Sequence, residues 1–235
     1  MKTLISRFVV VVLIATLGSG IATAQSSGSF SAMGTGASCQ ISGSDGTFSG
    51  GYGNVGSFTA NVQTSSANGL ALLIRPSLDT GLYTNTNVSG SNKNSSTGIS
   101  TATADVGIQV CVTVDGSSAN VGPTGGSNGN GCVIYDQRFQ QLSTSLFNTI
   151  TSCGLTTTGT PVPCFIDLIE STLSAHSYDF VANNLGQGSH TIQASWSVFG
   201  TNNNTQGGNT LACVGPGLMT VTQVKDFSQN SSISF

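Results

Sequence analysis

A chain of 235 residues with six basic and nine acidic side chains is only 6% charged, where an ordinary globular domain carries about 25%. That leaves too few cations for a nucleic-acid surface, and a hydrophobic share of 37% at so low a charge is not the composition of a disordered chain. The solvent faces must be built from Ser, Thr, Asn, Gln and Gly instead.

Residues 1–24 have the three parts of a secretory signal. Lys2 and Arg7 form a basic start, Phe8 to Leu17 an apolar core, and Ala22-Thr23-Ala24 a small-residue cleavage signature before Gln25. The apolar run is shorter than the roughly 20 residues of a membrane helix, and no later segment approaches that length. The expectation is an exported protein, extracellular or periplasmic, cleaved near Ala24, with residues 25–235 as one domain and no membrane span. Without Lys2 and Arg7, four basic residues face nine acidic ones, a net charge of about −5. A chain of this size buries roughly 70% of its unfolded surface, so it can hold a proper core.

Gln25 to Ser38 is Ser/Gly-rich and reads as a loose start leading to a strand near Cys39. Gly43 to Gly56 is turn chemistry throughout. Within it Gly51-Tyr-Gly53-Asn-Val-Gly56 matches a dinucleotide glycine fingerprint, which has meaning only between a strand and a helix. The following SFTANVQTSSANG has no helical period, so nucleotide binding is not expected. Leu70 to Ile74 is a short buried run closed by Arg75-Pro76, where a residue without an N–H marks a strand end or an edge. Leu78 to Thr86 reads as turn and short strand, and Asn87 to Ser100 as a polar loop. Thr103 to Val114 is a clear strand, with Val106, Ile108, Val110, Val112 and Val114 on one face and Asp115-Gly116 as its closing turn. A glycine-rich loop at 117–131 leads to a strand at Cys132 to Tyr135. Asp136 to Thr151 is the one helix candidate: Phe139, Leu142, Leu146 and Ile150 form a stripe, with Asp136 as N-cap. Phe165 to Glu170 is a further strand.

Ala175 to Gly200 reads as the central ribbon. His190, Ile192, Ala194, Trp196 and Val198 alternate with Thr191, Gln193, Ser195 and Ser197, the period of a half-buried antiparallel strand. A turn at Gly186 would set Phe180 opposite Ile192, Tyr178 opposite Ala194 and His176 opposite Trp196. Thr201 to Asn209 is a loop, and Met219 to Val224 the last strand. Many short strands between polar turns predict an all-β fold, an antiparallel, jelly-roll-like β-sandwich with at most one short helix.

All six cysteines follow the signal segment, and an even count in an exported chain implies disulfides. Six cysteines allow 15 pairings. The expected set is Cys153–Cys164 across a short loop, Cys111–Cys132 stapling two strands, and Cys39–Cys213 tying the first strand to the last.

No catalytic, cofactor or metal set is expected. Ser174, His176, Ser177 and Asp179 are the tempting local group, yet His176 and Asp179 fall on opposite faces of a strand, and there is no G-x-S-x-G elbow. Asp167 and Glu170, the nearest carboxylate pair, also point oppositely on a strand. Two isolated histidines make no zinc site, and no D-x-[DN]-x-[DN]-G calcium loop occurs. Sequons at Asn87, Asn94, Asn203 and Asn230 fall in predicted loops or the tail.

Leu185-Gly-Gln-Gly188-Ser-His190-Thr-Ile192 resembles the corner of immunoglobulin-like and fibronectin-like sandwiches, with His where Tyr is usual. That resemblance implies a structural His190 bonded to nearby backbone, and a chain crossing between sheets, in competition with the hairpin. RPSLDTGLYTNT, VTVDG, SAHSYDFV, GSHTI and GPGLMTVTQV together resemble exported bacterial β-sandwich proteins. This implies the fold and brings no activity and no site residues. The functional expectation is a secreted, non-enzymatic protein of structural or adhesive type. The alternative is a carbohydrate- or small-ligand-binding module, with Tyr52, Tyr83 or Tyr135 as stacking residues. A homo-oligomer, or an extracellular glycan or protein, is the expected partner.

Overall fold

The structure, a computed structural model, describes residues 29–36, 39–42, 47–50, 55–65, 70–90, 101–124, 129–143, 164–203 and 209–225. The two strands with the plainest alternation form the heart of one sheet. In β6 (Thr101–Val114) the even positions from Ala102 to Val114 are buried, and in β11 (Gly188–Asn203) His190, Ile192, Ala194 and Trp196 are buried. They pair antiparallel with Trp196 opposite Val110. β4 (Val55–Thr64) and β8 (Cys132–Ser143) flank them, giving the order β4-β11-β6-β8. Trp196 lies over Gly56, where an added Cβ would sit 2.1 Å from the indole, and the Phe58 ring tilts against it at 5.7 Å. Gly56 is therefore a strand glycine that makes room for the indole. No helix occurs among the described residues to complete a nucleotide fingerprint.

The second sheet is built on β5, 21 residues from Leu70 to Gly90. β12 (Asn209–Lys225) runs along one side of it, with β1 (Phe30–Thr35) outside β12. Two strands share the other side. β10 (Phe180–Ala182) pairs with Leu72 to Ile74 and carries β7 (Val121–Gly122) beyond it, while β9 (Cys164–Ser177) pairs from Ser77 to Gly90. Pro76 thus ends no strand, contrary to expectation. It occupies the gap where β5 changes partner from β10 to β9, the one place on that side where the missing N–H breaks no ladder. Its carbonyl faces the gap and accepts from Tyr178 N. Asn87, expected in a loop, lies within β5 and donates its amide to Asp167.

The two sheets pack face to face as an antiparallel β-sandwich. Even-numbered residues of β5 face those of β6 and β8, and Leu72, Ile74, Phe180, Ile192, Trp196 and Met219 are among the fully buried side chains. A small hairpin, β2 (Cys39–Ser42) with β3 (Thr47–Gly50), lies against β5, β9 and β12 and is tied down by Cys39–Cys213. A second disulfide, Cys111–Cys132, joins β6 to β8. Of the expected Cys153–Cys164 bridge, Cys164 opens β9 and Cys153 lies outside the described residues.

Two further expectations are corrected. The ribbon at 175–200 is not a hairpin: Phe180 pairs with Ile74 and His176 with Leu78 in one sheet, while β11 lies in the other. The chain turns a corner between them, and both segments face the same core from opposite sides. Asp136 to Ser143, the first half of the helix candidate, is strand; residues 144–151 lie outside the described residues. Its alternation is inverted. Asp136, Arg138, Gln140 and Leu142 turn inward, whereas Phe139 is 63% exposed.

Candidate functional site

The corner is fixed by His190. At the first turn of β11 its ring is buried, with Nε2 3.0 Å from the Gly186 carbonyl and 3.1 Å from Thr64 Oγ1. Nδ1 lies 2.7 Å from Asp115 Oδ2. The carboxylate at Nδ1 and the Gly186 carbonyl at Nε2 both accept, so both favour the protonated ring. The hydrogen bond to Asp115 raises the His190 pKa above its ordinary value of 6.5, and the same bond, with Thr191 N donating to Asp115 Oδ1 at 2.8 Å, lowers that of Asp115. Asp115 is presented by a two-residue turn with φ of +52° and, at Gly116, +78°, closed by reciprocal bonds between Val114 and Ser117. Asp115 was legible as a turn residue. Its role as the partner of His190 was not, because it follows from the pairing of Ile192 with Val114.

The second histidine lies in a polar seam between β8 and β9, where each sheet ends. Tyr135 is the extra residue of a β-bulge in β8, since Ile108 pairs with Asp136 and Gln109 with Ile134. Its hydroxyl sits between the carbonyls of Pro76, at 2.9 Å, and His176, at 2.5 Å, and burial pushes its pKa well above the ordinary value. Beyond it, Asp136 accepts from Thr80 Oγ1 at 2.7 Å and Gln140 Oε1 from Thr86 Oγ1 at 2.7 Å. Arg138 donates to the Leu82 carbonyl at 3.3 Å and lies 3.8 Å from Glu170.

Of the tempting local group, His176 Nε2 meets Ser174 Oγ at 2.7 Å, and Asp136 Oδ2, from the opposite sheet, at 3.4 Å. Serine and carboxylate thus converge on one nitrogen. A serine triad needs them on opposite nitrogens, so that the acid orients the base while the base takes the serine proton. Asp179 is bound by Arg75 in an exposed bidentate pair that lowers the Asp179 pKa. Asp167 and Glu170 are engaged separately, by Asn87 and Arg138. Among the described residues no group of three His, Cys, Asp or Glu side chains could hold a metal ion. Nor does any helix there have the length and apolarity to cross a membrane.

Tyr83 and Tyr135 are buried, which removes them as sugar-stacking residues, and Tyr52 lies outside the described residues. What the four-stranded sheet presents outward is a neutral polar surface. Ser57, Thr59 and Asn61 of β4 stand opposite Ser195, Gln193 and Thr191 of β11. Thr191 Oγ1 donates to Asn61 Oδ1 at 3.0 Å. At its far edge Gln137 donates to Asp105 at 3.0 Å, beside Phe139. No protein-family model matches the chain, and a comparison with curated proteins finds no match.

Proposed function

We propose that the chain is an exported, non-enzymatic protein of structural or adhesive type that works through its surface. The observation that carries this reading is the outer face of the four-stranded sheet. Paired strands hold hydroxyl and amide side chains there at regular spacing, with almost no charge. Such a face can exchange hydrogen bonds with a hydrated, uncharged surface without desolvating ions. The arrangement at His176 supports the non-enzymatic side, because its serine and carboxylate compete for one nitrogen. The disulfides and the signal-like start support export.

A sugar-binding module is the second reading. Phe139, 63% exposed beside Gln137 and Asp105, supports it as an aromatic platform flanked by hydrogen-bonding groups. The test is retention of the purified mature chain on cellulose, chitin and agarose beads, with Thr59→Lys/Gln193→Glu and Phe139→Ala as variants. Retention that the double variant abolishes and Phe139→Ala spares is the result expected of the adhesive face. Loss with Phe139→Ala alone favours the module. No retention on any of these surfaces overturns both.

A further inference from the structure

Polar side chains on the inner faces of a sandwich have to satisfy one another, since buried groups without a partner are costly. Between β5 and β8 they do so only in part. Thr86 of β5 and Gln140 of β8 are both buried, and the Thr86 hydroxyl donates to Gln140 Oε1 at 2.7 Å. The other arm of that amide, Nε2, has no hydrogen-bond partner, and neither has Oγ1 of Thr84, the neighbouring inward residue of β5. A hydroxyl and a carboxamide are thus in contact where solvent does not reach, and they belong to different sheets. Neither Cys39–Cys213 nor Cys111–Cys132 joins one of these sheets to the other.

We propose that Thr86 and Gln140 become joined by an ester bond, a covalent tie between the two sheets. A hydroxyl oxygen in contact with the oxygen of a carboxamide stands beside its carbon, the atom to be attacked, and the paired strands hold the two groups together as an intramolecular pair. Thr86 Oγ1 bonds to Gln140 Cδ, the Cδ–Nε2 bond breaks, and the hydroxyl proton leaves with the nitrogen as ammonia. One acyl bond replaces another, so the step is redox-neutral and needs no co-reactant. A threonine hydroxyl needs a base to act as nucleophile. Glu170 pairs with Thr84, which makes it the diagonal neighbour of Thr86 on the inward face, a spacing that long side chains still bridge. Its carboxylate is 3.8 Å from Arg138, the neighbouring inward residue to Gln140 on β8. Glu170 takes the hydroxyl proton and returns it to the departing nitrogen. The step expels the amide atom that has no partner, and the same exclusion of water protects the ester from hydrolysis.

The test is the intact mass of the purified mature chain, with peptide mapping after reduction. The expected result is a deficit of one ammonia beyond the hydrogens lost to disulfides. Trypsin should then leave the peptide that ends at Lys93 joined to the one that begins at Phe139. Hydroxylamine on the denatured, reduced chain should part them, because it cleaves an ester and spares an amide. Thr86→Val keeps the side chain's shape without the nucleophile, and should show the full mass and no joined peptides. Glu170→Gln should leave most of the chain unlinked. A wild-type chain at full mass overturns the proposal whether or not the variants fold. A deficit that persists in Thr86→Val also overturns it, because the ammonia is then lost elsewhere, as when Gln25 at a cleaved start cyclises. Linking undiminished in Glu170→Gln removes that residue as the base. The link does not depend on what the outer face of the four-stranded sheet binds, so mass decides one and retention on the beads the other.

Discussion

At His190 one ring ties the corner between the two sheets through both of its nitrogens. A tyrosine there would offer a single hydroxyl, whereas the imidazole reaches Gly186 with one nitrogen and Asp115 with the other. That tie has a defined pH window. His190 has its pKa raised in the folded chain, so its contribution is complete below the ordinary value of 6.5 and is lost as pH rises through the raised value. Asp115 has its pKa lowered, so its contribution is complete above 3.8 and is lost as pH falls through the lowered value. The pair therefore stabilises most between those limits. Imidazole proton shifts followed by NMR should show His190 titrating above 6.5, and Asp115→Asn should bring it down. If His190 titrates at or below its ordinary value, the bond to Asp115 does not favour the charged ring. His190→Phe keeps the ring's volume and deletes both bonds. It should cost about 2 kcal/mol in urea unfolding at pH 6, the range for hydrogen bonds to a charged group. Gly56→Ala should cost about 1–3 kcal/mol, since the methyl has to displace the Trp196 indole. Trp196 fluorescence would report that shift directly.

Among the elements, β8 separates the strand that was found from the helix that was expected. As a helix, Phe139 heads a buried stripe, and its truncation would cost about 3–5 kcal/mol. In β8 it points to solvent, so Phe139→Ser should change stability by no more than about 0.5 kcal/mol, by thermal or chemical unfolding. β6 and β11 were legible because their inward faces are apolar throughout, so period two names both the element and its buried side. β8 was not, because the sandwich interior at its edge is polar: Asp136, Arg138 and Gln140 turn inward to Thr80, the Leu82 carbonyl and Thr86. An inward face made of polar residues reads as an outward one. The length of β5 was hidden for a related reason, since Pro76 is tolerated only because two other strands happen to part beside it. The corner and the hairpin at 175–200 share one local pattern, and only long-range pairing of Phe180 with Ile74 decides between them.

Across the whole molecule, the two disulfides act at different ranges and should be separable by stability alone. Cys39 and Cys213 are 174 residues apart, so their bond closes most of the chain into one loop, whereas Cys111 and Cys132 are 21 apart and span only the connection from β6 to β8 that carries β7. In the loop-entropy model the larger loop removes more freedom from the unfolded chain, about 5 kcal/mol against about 3 kcal/mol for the smaller. The longer bond also holds the β2–β3 hairpin over β5 and β12. Replacing both cysteines of that bond by serine should therefore do two things. It should lower urea-unfolding stability more than Cys111→Ser/Cys132→Ser does, and it should release the hairpin, read as faster hydrogen exchange of the β2 and β3 amides before unfolding. Tyr135, in the bulge of β8, should stay silent in an alkaline titration until the sandwich itself opens, because burial holds its pKa far above the ordinary value. A larger loss from the shorter bond, or unchanged exchange in β2 and β3 without the longer one, would mean that the hairpin is held by packing against the sheet and not by the disulfide.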